Sequence, residues 1–523
     1  MNHKCILLTA AASMILWACS DNLSANEDGT GKPSEGVENP GNNQGQDTPP
    51  ETPDFGFEVF PTGTGAYIDD VLTLTFSSVP VLGTEGKITI FNSDGTQADM
   101  IDMADVAATS QQMTNNTLNS TVIDFIGEPS SKKFRAVNYK PVIVEEKSVV
   151  IKPHSNKLTY GKTYYVTIDP TVIVAEGFNG ISADKKWEFA TKQEPASKDA
   201  VTVGKSGKTD FRTIQGAIDW AYKCGANSPM QININRGVYE EQLFIRNNHN
   251  ITFKGANRDK TVLQYTNAEE YANGVGGSID AIPALGSKIN KSGGRAVILM
   301  EICKGIRFEN MTLKNTYGKP GQAEVIYNNS DGDYTLSFVN CSLISLQDTF
   351  NSKGYGWMKD CLVEGNCDFI WGSPRTWLFE DCEIRAAADG YIVQCRCQDS
   401  KYKGFVFLNC TLSRKEGVAD GKMYLARSSG ATEYYDNVAF INCYMSSVIP
   451  ATGWYSNPTP NPVKANASSG WKEYGSKNAT GESLSLSSRL SNAYTLSSEE
   501  YEAGYKDRAT IFAGAPVGSD WLK

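Results

Sequence analysis

From about residue 200 the apolar positions come in short bursts set at a long, repeated interval. The pattern aromatic or Met, any residue, Asn or Asp, Cys or Met, any residue, aliphatic recurs at 308–313, 338–343, 358–363, 379–384, 407–412 and 440–445. Starts lie 20 to 33 residues apart. Self-similarity at that period predicts a solenoid of stacked strands in which equivalent positions lie one above another. Cys341, Cys361, Cys382, Cys410 and Cys443 share one repeat position, which predicts a column of small buried side chains. Asn310, Asn340, Asp360, Asp381, Asn409 and Asn442 share another and are expected at the coil corners, held by side chain to backbone hydrogen bonds.

Before residue 193 the period changes to two. VLTLTF at 71–76, KITIFN at 87–92, SVVIKP at 148–153, TYYVTI at 163–168 and KWEFAT at 186–191 alternate between Gly, Asp and Asn turns, the pattern of half-buried strands in a β-sandwich. Nothing in this module reads as catalytic, and it is expected to be a spacer, with a carbohydrate-proximal role as the alternative. Between the two patterns, Phe211, Ile214, Ala217, Ile218 and Ala221 fall at helical spacing. The expected helix is capped by Asp210, ends at Gly225 and covers the first open coil. At the far end, residues 499–505 read as a helix that packs over the coils.

The chain's start changes the picture of where this happens. Lys4 precedes an apolar run that ends Leu16-Trp17-Ala18-Cys19, the short core of an export signal rather than a membrane span. This end resembles a bacterial lipobox, which implies a lipidated Cys19. A stretch rich in Gly, Asn, Asp, Glu and Pro follows to about residue 53 and predicts a flexible tether. The organisation expected is therefore signal 1–18, anchor and linker 19–54, sandwich 55–193 and solenoid 199–523. At 523 residues the chain accommodates both folded modules. A net charge of −10 argues against nucleic acid as partner.

Candidate chemistry sits on the solenoid. Asp348 follows Cys341 by seven residues and Asp368 follows Cys361 by seven, so the two carboxylates are expected at equivalent places on adjacent coils, roughly 4.7–4.9 Å apart. Two like charges that close raise one pKa. Arg427 would keep one carboxylate ionised and leave the other as a proton donor, while the amides of Gln322 and Gln347 are placed to meet an oxyanion. Taken singly, each of these residues fits a structural Asn/Asp/Gln ladder as well as a catalytic one. The three histidines, His3, His154 and, on an early coil, His249, lie outside the stretch that carries these candidate residues and there is no G-x-S-x-G elbow, so a serine esterase is set aside. The cysteines form no C-x-x-C pair, so no zinc site is expected.

GQAEVIY at 321–327, LQDTF at 346–350, GNCDFIWG at 365–372 and YLARSSG at 424–430, in that order, resemble the signature blocks of the pectin methylesterases. Similarity to that family extends over nearly all of 200–523, and 55–193 resembles bacterial Ig-like domains. The resemblance implies an all-β chain: a right-handed parallel β-helix of the pectin lyase-like kind behind an N-terminal Ig-like β-sandwich. It also implies an aspartyl esterase of galacturonate methyl esters that needs no metal or organic cofactor. Matched block by block, Asp368 is the nucleophile and Asp348 the acid that later activates water. Gln322 and Gln347 are the oxyanion amides, and Arg427 pairs with the nucleophile.

The family usually continues its Arg block with Pro-Trp, whose ring packs on a sugar; Ser428-Ser429 stand here. Phe369, Trp371 and Trp454 are expected to supply substrate contacts instead, together with Gln394, which is otherwise a supporting or ladder residue, as is Arg396. The stretch 267–293 is expected to wall the cleft. The partners expected are methyl-esterified homogalacturonan and a membrane reached through Cys19, for a monomer exported to the outer membrane, the cell surface or the periplasm. The alternatives are a pectin-active lyase or glycosidase on the same solenoid, for which Asp331 and Asp333 are too thin a calcium cluster, and a non-catalytic polygalacturonan-binding lipoprotein.

Overall fold

Strand pairing in the computed structural model bears out the repeat register. The structure describes residues 54–109, 121–127, 132–225, 227–272, 277–282 and 294–523. The export signal, Cys19 and the linker to residue 53 lie outside the described residues. Among the described residues from 200 to 495, 23 strands form one sheet system in which every principal pairing is parallel. Phe308 stands opposite Phe338, Phe338 opposite Met358, Met358 opposite Phe379, Phe379 opposite Phe407, and Phe407 opposite Phe440. This is a parallel β-helix.

The coil interior is filled by that register. Phe379, Phe407 and Phe440 stack at centroid separations of 4.6 and 4.4 Å, within the range aromatic pairs favour. The five column cysteines are buried and unpaired. The polar corner residues all adopt positive φ, from 52° to 56°, a region that Asn and Asp tolerate better than other residues with a Cβ. The expectation for these corners holds for their position but not for their bonding: Asn340 Nδ2 donates to the Asn310 side chain at 2.8 Å, Asp381 pairs with Lys359, and the left-handed backbone is what selects the residue type.

A helix at Ile214–Cys224 covers the first coil with Ile214, Ala217, Ile218 and Ala221 buried, and Gly225 follows its last turn. Its cap is Thr213, whose hydroxyl accepts from the Gly216 amide. Asp210, expected there, instead accepts from the amide and hydroxyl of Thr202 at 2.8 Å each. At the other end the helix Ser498–Gly504 carries a full capping box. Tyr505, Ile511, Phe512 and Leu522 pack over a flank of the coils against Trp357, Leu378, Val406 and Ile441.

Among the described residues the N-terminal module forms two main sheets around a shared core that includes Leu74, Ile90, Val149, Val166 and Trp187, with Val81–Leu82 and Ile173–Val174 as a short extra pair. Lys87–Asn92, Thr163–Ile168 and Trp187–Thr191 lie side by side in one sheet, Leu72–Thr75 and Ser148–Ile151 in the other. A hairpin of Ile123–Ile126 and Phe134–Asn138 leaves both sheets. It pairs with Ser278–Ile279 of the β-helix to make a separate three-stranded sheet. This part of the module is packed against the coils, which a simple spacer does not require.

Candidate active site

Asp348 and Asp368 occupy the same corner of successive coils. Phe350 pairs with Ile370 two residues further on, and the Asp348 amide donates to the Cys367 carbonyl at 3.0 Å. Both have positive φ, 63° and 47°, and both side chains are about 95% buried. One coil earlier, Gln322 bridges Gln347 in parallel register. Gly365 allows the close stacking here: a Cβ on it would lie 2.2 Å from the Phe369 Cβ and 2.6 Å from the Leu346 carbonyl oxygen.

Around Asp368 the structure places three donors. Arg427 Nε donates to Oδ1 at 2.8 Å and its Nη2 pairs with Oδ2, the two-pronged geometry a guanidinium offers a carboxylate. Gln394 Nε2 donates to Oδ2 at 2.9 Å. Its own oxygen accepts from Arg396 at 2.9 and 2.6 Å, which fixes which end of the amide faces Asp368. Burial raises the Asp368 carboxyl, and the hydrogen bond and charge of Arg427, then the charge of Arg396, oppose that rise.

Asp348 lacks such a clamp. Burial above all, then the charge of Glu324, push its carboxyl up to about 8, while Arg295 and the Gln322 amide pull it down. The repulsion by Asp368, from which the sequence argument started, is a smaller contribution. Glu324 is fully buried and accepts from Arg295 Nε at 2.8 and 2.9 Å. Arg295 Nη2 also stands 3.8 Å from Asp348 Oδ2, and its Nη1 donates to Glu269 at 3.2 Å. Neither Arg295 nor Glu324 was legible in the sequence as part of the site. Glu324 lies inside the GQAEVIY block, two residues after Gln322, and that proximity was the available signal.

The expected substrate contacts need correction. Phe369 and Trp454 are both buried in the coil core. Trp454 stacks on Trp471 at 5.2 Å and donates to Glu473 at 3.0 Å, so neither ring faces a ligand. Gln394 is 4% exposed and spent on Asp368, so its amide holds that carboxylate and does not face a ligand. Trp371 stays at the site, with the Arg396 guanidinium 4.9 Å and that of Arg295 5.9 Å from its ring centre. The region of the missing Trp is rebuilt. Ser428 is buried and donates to Asp436 at 2.9 Å, while half-buried Tyr391, Tyr424 and Tyr455 cluster with centroids 4.9–5.9 Å apart. Arg427 lies 5.3 Å over Tyr391. Of the described part of 267–293, Glu269 reaches the site, its amide donating to the Gln322 carbonyl at 3.0 Å, and Ser278–Ile279 pair with the hairpin.

A carboxylate clamped by a guanidinium thus stands one coil from a carboxyl that burial raises to about 8, with Gln322 and Gln347 bridged beside them, a set of groups able to carry out acyl transfer at an ester. A family model described as pectinesterase matches residues 200–503, more than half of the 523. The chain belongs to the pectinesterase family. A bacterial Ig-like domain model matches residues 97–191, so the hairpin lies inside that match. Pectinesterase 31 of Arabidopsis thaliana is 29% identical over 262 residues, covering 49% of this chain and 76% of its own. Probable pectinesterase A of Neosartorya fischeri is 28% identical, covering 51% and 76%. Among solved structures, a pectin methylesterase from Erwinia chrysanthemi aligns with a TM-score of 0.48 at 24% identity, covering 61% of this chain and 98% of that one. As a member of this family the chain is a carboxylic ester hydrolase, built on a parallel β-helix.

The lyase reading loses its one acidic pair. Asp333 is bound to Arg375 at 2.6 Å, and Asp331 lies 3.9 Å from the same guanidinium.

Proposed function

We propose that this esterase hydrolyses galacturonate methyl esters of pectin with Asp368 as nucleophile and Asp348 as acid and then base. The observation that carries the assignment is the asymmetry of the pair: Asp368 is clamped by Arg427 and Gln394, while Asp348 is pushed up to about 8. Burial raises both carboxyls, but the Arg427 clamp favours the anion at the first, while the second, without a clamp, favours its proton. Asp368 attacks the ester carbonyl, and the Gln322 and Gln347 amides donate to the oxyanion. Asp348 gives its proton to the departing methanol. As a carboxylate it then takes a proton from water, which opens the acyl-Asp368 intermediate and returns both residues to their starting states.

The apolar run ending at Cys19 and the low-complexity stretch behind it support export, lipidation of Cys19 and a tethered monomer at the outer membrane or cell surface, within the organisation 1–18, 19–54, 55–193 and 199–523. Methanol release from highly methylated pectin by the full chain, beside Asp368→Asn and with EDTA present, tests the chemistry. Release by the first and none by the second is expected. A folded wild type that binds pectin without releasing methanol would instead support the non-catalytic alternative.

A further inference from the structure

Arg135 belongs to the hairpin that leaves the Ig-like sandwich, yet its guanidinium lies wholly inside the β-helix interface. It is 0% exposed and, among the described residues, pairs with no carboxylate. Its Nη1 donates to the Leu243 carbonyl at 2.5 Å and the Val297 carbonyl at 2.9 Å. Its Nη2 donates to the Gly294 carbonyl at 3.2 Å and to the Ala296 carbonyl. Burying a cation without a counter-ion costs several kcal/mol, and here backbone carbonyls alone offset that cost.

Three of the four carbonyls belong to residues 294, 296 and 297, so the guanidinium grips the backbone on both sides of Arg295. Asn267 Nδ2 reinforces the grip with 2.7 and 3.0 Å bonds to the Gly294 and Ala296 carbonyls. The Arg295 side chain leaves this pinned segment toward the other side, where it holds Glu324 and stands 3.8 Å from Asp348. A second contact runs alongside: Ile126 and Val137 of the hairpin pack on Phe244 and Leu299 of the coils, with Tyr327 against that cluster. Tyr327 meets the Trp371 ring edge to face at 6.0 Å.

We propose that Arg135 is a positioning residue of the esterase site, acting through the backbone of residues 294–297 to aim Arg295 at Asp348. The Ig-like module is then part of the catalytic apparatus and not a spacer. The inference rests on Asp348 as the acid of the reaction. Its physical content is that an error on the order of 1 Å in a supporting cation changes both the rate and the protonation of the group it faces.

The experiment uses the full chain and methanol release across pH. Arg135→Met keeps the length and apolar volume of the side chain and removes the four donors' charge; Arg295→Gln removes the cation at the far end. Both are expected to lower kcat at least tenfold with KM changed less than threefold. Both should also move the basic limb of the pH profile upward, because Glu324 and Asp348 together hold their protons to higher pH when the cation beside them is lost or misplaced. Arg135→Lys should recover part of the rate. The double variant is expected to be no more than threefold slower than Arg295→Gln alone, since one change acts through the other.

An Arg135→Met protein with the wild-type kcat and basic limb, or losses that multiply in the double variant, would overturn the proposal. If Arg135→Met does not fold, Asn267→Ala, which loosens the same carbonyls from within the β-helix, carries the test. An unchanged rate and limb there overturns it equally. A wild type that releases no methanol overturns the functional reading and the inference together; an active wild type indifferent to Arg135 and Asn267 overturns the inference alone.

Discussion

Gln394 donates one 2.9 Å hydrogen bond to Asp368 and is itself held at its other end by Arg396. The amide is therefore oriented before any substrate arrives. Gln394→Ala is expected to lower kcat roughly 10- to 100-fold, the range of a hydrogen bond to a charged group, with KM little changed. Steady-state kinetics on methylated pectin checks this, and a rise in KM with kcat intact would return Gln394 to the substrate contacts.

Arg427 makes a two-pronged contact that a lysine cannot reproduce. Arg427→Lys keeps the charge and is expected to lose on the order of 10²-fold in kcat, because the carboxylate is no longer held in one orientation. A Lys variant with near wild-type turnover would show that charge alone suffices.

Asp348, as the proposed acid, is expected to set an alkaline limit. With its carboxyl pushed up to about 8, the proton proposed for the leaving group is held below that pH, and kcat/KM is expected to fall as pH rises through it. The same shift acts on stability. The folded state binds this proton more tightly than the unfolded chain, whose value is near 3.8, so the contribution is fully present below about 4 and is lost as pH rises to about 8. Asp348→Asn is thus expected to be inactive yet more stable than the wild type at pH 7.5, on the order of 1 kcal/mol, with the gap closing at pH 4. Thermal unfolding at the two pH values reads it out.

Tyr391, Tyr424 and Tyr455 form the half-buried aromatic surface next to Arg427. Tyr391→Ala is expected to raise KM about 3- to 10-fold, in keeping with ring contacts of about 0.5–1.5 kcal/mol, and to leave kcat within a factor of about three. Trp454→Phe, in contrast, is expected to lower Tm and leave KM unchanged, since its ring and Nε1 are used inside the core. The two variants together separate a sugar platform from a packing residue.

The parts of the fold read correctly from the chain are those governed by repetition. The Phe, Asn and Cys positions recur because each coil meets the same neighbour above and below, and the pairing of Phe308 with Phe338 follows directly. The coil before them escaped the pattern because Gly255 stands where the later coils have Asn or Asp; a Cβ there would lie 2.3 Å from the Asn310 carbonyl oxygen. Phe253 nonetheless stacks on Phe308 at 4.7 Å. Asp348 and Asp368 were legible for the same reason of register.

What was not legible depends on chain segments far apart in sequence. Trp454 looked available for a ligand because nothing local states that Trp471, on the next coil, covers it. Arg295 follows a stretch read only as a loop, and its partner Glu324 is 29 residues away. Arg135 reaches carbonyls more than 100 residues on. Backbone acceptors have no side-chain signature, so no motif announces such a contact.

Because the two carboxylates are consecutive rungs of a sheet ladder, their separation is inherited from the backbone and not from any loop. Coils elsewhere in the stack are interchangeable with respect to this spacing. A lineage of such proteins can therefore gain or lose whole turns of the solenoid, lengthening or shortening the surface on which a polymer lies, while the reacting pair stays in register. Only the turns that carry Gln322 through Arg427 are indivisible.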